Sequence, residues 1–185
     1  MKFIKLSLIL FSTPLIFTSC DPDDPDPVNE GELITTLKYN LTPQNIGQTV
    51  TLSFADLDGS GGVDPIIQGG TLQANTIYSG QIEILNQAVT PEENIAEEVQ
   101  EEDEEHQLFY LFSGLNASIE YLDADDEGNP LGLLTEFETG EPSTGQLTII
   151  LRHEPDKGAD GVSEGDITNA GGETDIEVTF DVVIQ

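Results

Sequence analysis

The sequence predicts a mainly β fold, an antiparallel sandwich of immunoglobulin-like or Greek-key type with about eight strands and one inserted amphipathic helix near residues 91–106. Three observations carry that reading. From Glu32 onward, runs rich in Thr, Val, Ile and Phe alternate apolar and polar residues with period two. Clusters of Gly, Asn and Asp separate the runs, as turns between short strands require. Only one segment, opening at Thr90-Pro91-Glu92-Glu93, breaks the alternation. A chain of 185 residues with 37% hydrophobic content suits one core rather than two.

In chain order, strands are expected near Leu33–Leu41, Thr49–Phe54, Thr76–Leu85, Gln107–Phe112, Ala117–Leu122, Gly132–Glu138, Gln146–His153 and Thr174–Ile184. Ile82/Ile84 and Ile176/Val178/Phe180/Val182 mark faces turned to a core, and Asp125–Pro130 has the composition of a hairpin turn. In the exceptional segment Thr90 is placed as N-cap, Pro91 at the first helical position and Glu93 three residues after the cap. Ile95, Val99, Glu102 and His106 then fall within about 60° of one another on one helical stripe, expected to face the sheet.

Residues 1–19 have the order of a secretory signal, with Lys2 and Lys5 ahead of an apolar run from Leu6 to Phe17. A run of roughly a dozen apolar residues is too short to span hydrocarbon as a helix. Phe17-Thr18-Ser19-Cys20 resembles the lipobox of bacterial lipoproteins, which implies that Cys20 is acylated and becomes the mature N-terminus. Residues 20–31 then form an acidic tether. Asp21-Pro22-Asp23-Asp24-Pro25-Asp26-Pro27 combines like-charge repulsion with prolines that forbid helix and ladder pairing, leaving an extended spacer before the domain at 32–185. The stretch also resembles the surface-export signal of Bacteroidota-type lipoproteins; a plain periplasmic spacer is the other reading.

Charge excludes whole classes of partner. The chain has 36 Asp+Glu against 5 Lys+Arg, a formal charge of −31. No nucleic-acid surface can be built from so few cations, and the same shortage rules out unaided attachment to anionic lipid. The membrane is therefore expected as a partner only through the lipid on Cys20.

The two histidines give the sharpest local signal. His106 ends the helical stripe with Glu102 one turn before it, and His153 follows Leu147, Ile149 and Leu151 on one face of a strand. Two imidazoles and a carboxylate suit a divalent ion of the zinc or copper type, with Glu98 and Glu105 as further ligands or as supports. The competing reading is structural: a histidine satisfied at a helix C-terminus and another bonded to backbone at a strand end.

Other patterns are less specific. Asp56 and Asp58, and Asp123 and Asp125, each precede a glycine as calcium loops do, but no bidentate Glu follows at the required distance; acidic β-turns produce the same pattern. Arg152 and Lys157 gather rare positive charge in one loop, either as an internal ion-pair site or as a contact for an anionic ligand or partner. Gly158–Gly172 is long enough to be a binding loop. No nucleophile with a motif-defined base and no phosphate loop is present, and with so many acids no glycosidase-type pair stands out, so the chain is expected not to be an enzyme.

Glu32-Leu33-Ile34-Thr35-Thr36-Leu37, Asp56-Leu57-Asp58-Gly59, Glu105-His106-Gln107, Arg152-His153-Glu154-Pro155-Asp156-Lys157 and the run from Asp166 to Ile176 together resemble a Bacteroidota lipoprotein family. Its members are often labelled type 1 periplasmic binding fold superfamily proteins. That label implies two α/β lobes, whereas the period-two pattern here predicts a sandwich. The resemblance implies an envelope lipoprotein on the outer membrane working beside an outer-membrane, TonB-dependent receptor. The expectation is a lipid-anchored, surface-exposed protein that captures a small ligand or a divalent metal ion; the alternative is a structural or adhesive module without a small ligand.

Overall fold

The computed structural model describes residues 33–59 and 62–185. The signal, Cys20 and the tether lie outside the described residues. The eight expected strands are all present: β1 Thr36–Pro43, β2 Val50–Ala55, β5 Ile77–Asn86, β7 His106–Ser113, β8 Ala117–Tyr121, β9 Leu134–Thr139, β10 Ser143–His153 and β11 Glu173–Ile184. Three short ones join them, β3 Ile66–Gln68, β4 Gly70–Leu72 and β6 Glu93–Asn94. One sheet runs in the order β3-β2-β1-β5-β9-β8, with β6 paired to the end of β5; the other runs β4-β11-β10-β7. Every pairing is antiparallel except the short one between β4 and β11, so the fold is an antiparallel-dominated β-sandwich. The Asp125–Pro130 turn closes the β8–β9 hairpin as its composition predicts, capped by the Ala124–Pro130 bridge.

Alternation decides which side chains meet. Leu37, Tyr39 and Leu41 of β1 and Tyr78, Ile82 and Ile84 of β5 face Leu147, Ile149 and Leu151 of β10 and Val178, Phe180 and Val182 of β11 in one buried cluster. Tyr39 stands at its centre, with its ring 5.5 Å from Tyr110 and 6.3 Å from Phe137. Its hydroxyl is paired with Thr135 Oγ1 at 2.7 Å, which satisfies the one polar atom the ring carries into the core. Gly80 makes room for this arrangement, because a β-carbon there would lie 2.3 Å from Thr135 Oγ1 and 2.5 Å from the Tyr39 hydroxyl.

On β7 the alternation disappears: His106 to Tyr110 are all buried. The loop from 155 to 172 explains why. It folds through two 3-10 turns, Val162–Glu164 and Ile167–Asn169, and lays Val162 and Ala170 over Phe109 and Ile150 on the outer face of the second sheet. The expected binding loop is thus a lid on a second small core, fixed further by Gln107 Nε2 donating to the Val162 carbonyl at 2.9 Å.

The helix is shorter than the sequence pattern predicts. α1 covers Ile95–Glu101, with Asn94 rather than Thr90 at its N-cap, and no side chain caps it. Glu93 and Asn94 instead extend the first sheet by pairing with Asn86 and Leu85, and Asn86 Nδ2 and Gln87 Nε2 hold the Glu93 and Glu92 carboxylates. Those bonds occupy the residues that the capping pattern would need. Ile95 and Val99 are buried, as the stripe requires, but the helix stops before Glu102 and the chain re-enters the sheet at His106.

Replacing Gly80 by Ala is expected to lower stability by about 1–3 kcal/mol through overpacking against Tyr39 and Thr135. Urea unfolding is the measurement, and Tyr39→Phe in the same background should recover part of the loss by removing one of the two colliding oxygens.

Candidate metal centre and the buried lysine beside it

His106 opens β7 and His153 closes β10, and the antiparallel register sets them directly opposite. His153 Nδ1 lies 3.0 Å from His106 Nε2, with the rings edge to face at 4.8 Å between centroids. Alternation puts both on the core side of the sheet, in line with Leu108 and Leu151. The two histidines that the sequence singles out therefore do meet.

The carboxylate that joins them is Asp175, not Glu102. Between Leu151 and Arg152 the pairing with β11 shifts, so that Leu151 faces Ile176 while Arg152 faces Thr174. Asp175 is the extra residue of this β-bulge, and a bulge re-aims a side chain that regular pleating would send outward. Its Oδ2 comes to 3.9 Å from His106 Nε2, and its side chain is only 9% exposed. Burial raises the Asp175 pKa above its ordinary value; His106 and His153 pull against that rise, and Glu173 adds to it.

Glu102 takes part through its backbone. Its carbonyl accepts from the Glu105 amide at 2.9 Å and lies 3.1 Å from His106 Nδ1. With Nδ1–H donating to that carbonyl, the lone pair of Nε2 points at His153 and Asp175, the tautomer that a metal ligand needs. The Glu102 carboxylate is exposed because α1 ends one residue earlier and the turn at 102–105 swings it outward. Glu98 is likewise exposed and outside the cluster, whereas Glu105 falls into a second donor set with His153 and Glu154. In His106, His153 and Asp175 one ligand atom from each lies within 4.8 Å of the others. Two imidazoles and one carboxylate at that separation can close on a first-row divalent ion with small side-chain adjustments and leave a coordination position open.

The aspartate turns are occupied by their own backbone. Asp56 Oδ1 accepts from the Gly59 amide at 3.0 Å and Asp58 Oδ2 from the Val63 amide at 2.9 Å. Asp123 takes the amides of Gly132 and Leu134, and Asp125 those of Glu127 and Asn129. The carboxylates considered for calcium each take part in forming their own turn.

Lys157 forms an internal tie. Its ammonium bonds Asp125 Oδ2 at 3.0 Å and the carbonyls of Asp103 and Pro130, with side chains 5% and 1% exposed for the lysine and aspartate. Three segments meet there: the turn after α1, the β8–β9 hairpin and the loop after β10. Burial opposes ionisation of Asp125, but the bonds from Asn129 and Lys157 outweigh it and hold the carboxyl below its ordinary value of 3.8. Arg152, half-buried, reaches Thr174 Oγ1, and Lys38 bridges Glu83 at 3.3 Å. Each of the three cations among the described residues is thus engaged inside the chain. The signal that would have separated tie from contact is the companion Asp125, which sequence spacing does not pair with Lys157.

Comparison with known proteins adds no relative to this picture: no family model matches the chain, no curated protein matches it, and no solved structure matches its fold.

Lys157→Met is expected to cost about 3–5 kcal/mol at pH 6, because it strands a buried carboxylate. Asp125→Asn combined with Lys157→Met should return most of that loss. Since the folded Asp125 pKa is depressed, its stabilisation is complete above the unfolded value and falls away as pH drops through the folded one. The gap between wild type and Lys157→Met in urea unfolding should therefore narrow below about pH 4.

Proposed function

We propose that the chain is a lipid-anchored, non-enzymatic protein of the cell envelope that captures a divalent transition ion, zinc or copper in type, through His106, His153 and Asp175. The observation that carries the proposal is the convergence of the only two histidines in the sequence on a low-exposure carboxylate aimed by a β-bulge. A packing role alone gives no reason for a bulge that turns an acid inward, where it must be desolvated. A cation offsets that cost, and the carbonyl of Glu102 fixes the orientation of the His106 ring.

The address rests on the sequence. Lys2 and Lys5, the apolar run and the residues before Cys20 read as a lipoprotein signal, and the Pro/Asp tether would hold the domain away from the outer membrane, facing outward. The resemblance to a Bacteroidota lipoprotein family supports the same address and supplies a partner class, an outer-membrane receptor to which captured metal is delivered. A structural or adhesive role is favoured by a different feature: Leu57, Val63, Ile66 and Ile67 are exposed together at the β3 edge, a surface suited to contact between chains.

Calorimetric titration with zinc and with copper should give one site per chain, and His106→Ala with His153→Ala should abolish it while leaving the unfolding midpoint within a few degrees. Stoichiometric binding that survives the double variant would discard the site. Metal-free protein that self-associates through the β3 edge, and is dispersed by Ile66→Lys, would favour the structural role.

A further inference from the structure

We propose that Glu105 and Glu154, with His153, form a second, exposed cation site that loads the inner one; the inference rests on the metal-capture reading above. Two donor sets share His153: the inner set with His106 and Asp175, and an outer set with Glu105 and Glu154, each with its ligand atoms within 4.8 Å. Both glutamates are exposed, His153 is half-buried and His106 is buried, so the shared imidazole stands between solvent and interior.

The backbone builds the outer set as deliberately as the bulge builds the inner one. The Glu154 amide donates to the Glu105 carbonyl at 2.6 Å, which joins the end of β10 to the turn before β7. Glu154 adopts φ +50°, a left-handed conformation that costs a side-chain-bearing residue and turns the strand end back toward Glu105. Gly172 permits the close approach of the neighbouring loop, since a β-carbon there would lie 2.2 Å from the His153 carbonyl oxygen. What separates this set from the surrounding surface acids is the imidazole, a nitrogen donor that Glu101 and Glu104 lack.

The closed inner pair gives the outer site its purpose. His153 Nδ1 lies 3.0 Å from His106 Nε2, so the two rings bond to each other and leave no gap for an ion between them. An ion held by both rings must first part them. Glu105 and Glu154 hold the ion at the surface while the half-buried His153 ring turns. Glu101, Glu102, Asp103, Glu104 and Asp126 line the adjoining depression and raise the local cation concentration.

The test uses the whole chain and zinc chloride, with uptake followed by stopped-flow competition against a fluorescent zinc indicator. Glu105→Gln with Glu154→Gln should slow uptake about tenfold while changing the equilibrium dissociation constant less than about threefold. Glu97→Gln with Glu101→Gln, removing the same charge outside the donor set, should slow it less than about twofold. His106→Ala should retain weak zinc binding that disappears when Glu105 and Glu154 are also neutralised. Equal uptake rates for wild type and Glu105→Gln/Glu154→Gln, or equal slowing by the two charge controls, would overturn the loading site while leaving metal capture intact. Absence of zinc binding by the wild type would overturn both.

Discussion

The buried ammonium of Lys157 is the constraint on which the geometry of the histidine cluster depends. Without Lys157 the Asp125 carboxylate, at 1% exposure, would keep only the bonds from Glu127 and Asn129 and lose its counter-charge, and the facing carbonyls of Asp103 and Pro130 would lose their shared donor. Lys157 answers all three at once. In doing so it holds the turn at 102–105 against the hairpin and the loop after β10. The Glu102 carbonyl that orients His106 and the Glu105 carbonyl that receives the Glu154 amide both lie on that turn. In so acidic a chain, the scarcity of cations makes each placement consequential, and this one sits where three connections cross.

Much of the fold was legible because strand alternation is a local property. All eight long strands fall within a few residues of their expected positions, since Thr, Val, Ile and Phe at period two leave one face apolar whatever the strand pairs with. The short strands β3, β4 and β6 were not legible, because three residues or fewer carry no period. The helix was legible in place but not in extent. Thr90-Pro91-Glu92-Glu93 has the residues of a cap, yet the free end of β5 offered Glu93 and Asn94 a ladder, and pairing displaced capping. Likewise, nothing in Phe109 or Ile150 says that their outward faces will be covered; that depends on a later loop folding back over both strands, a tertiary fact.

The candidate site divides the same way. His106 and His153 could be singled out because each belongs to an apolar face by local period, and antiparallel pairing then set them opposite. Glu102 was the natural carboxylate on a continuous helix, and once the helix stopped at Glu101 its side chain turned to solvent while its carbonyl stayed behind. Asp175 could not be foreseen, since by alternation it belongs on the face opposite Ile176. Only a register shift, which depends on how two strands accommodate each other, brings it inward.

The position of β11 has a consequence for the order in which the domain can be completed. It is formed by the last stretch of the described chain, yet it lies inside its sheet, between β4 and β10, and its end is tied by Gln185 to Leu72 and Ala74. A chain emerging N-terminus first therefore presents β10 and β4 with no neighbour to join them until the final strand is free. This sheet closes by insertion rather than by accretion at an edge, with β10 already paired to β7 and the other sheet needing nothing from β11, and loss of β11 removes the middle of a sheet instead of trimming its rim.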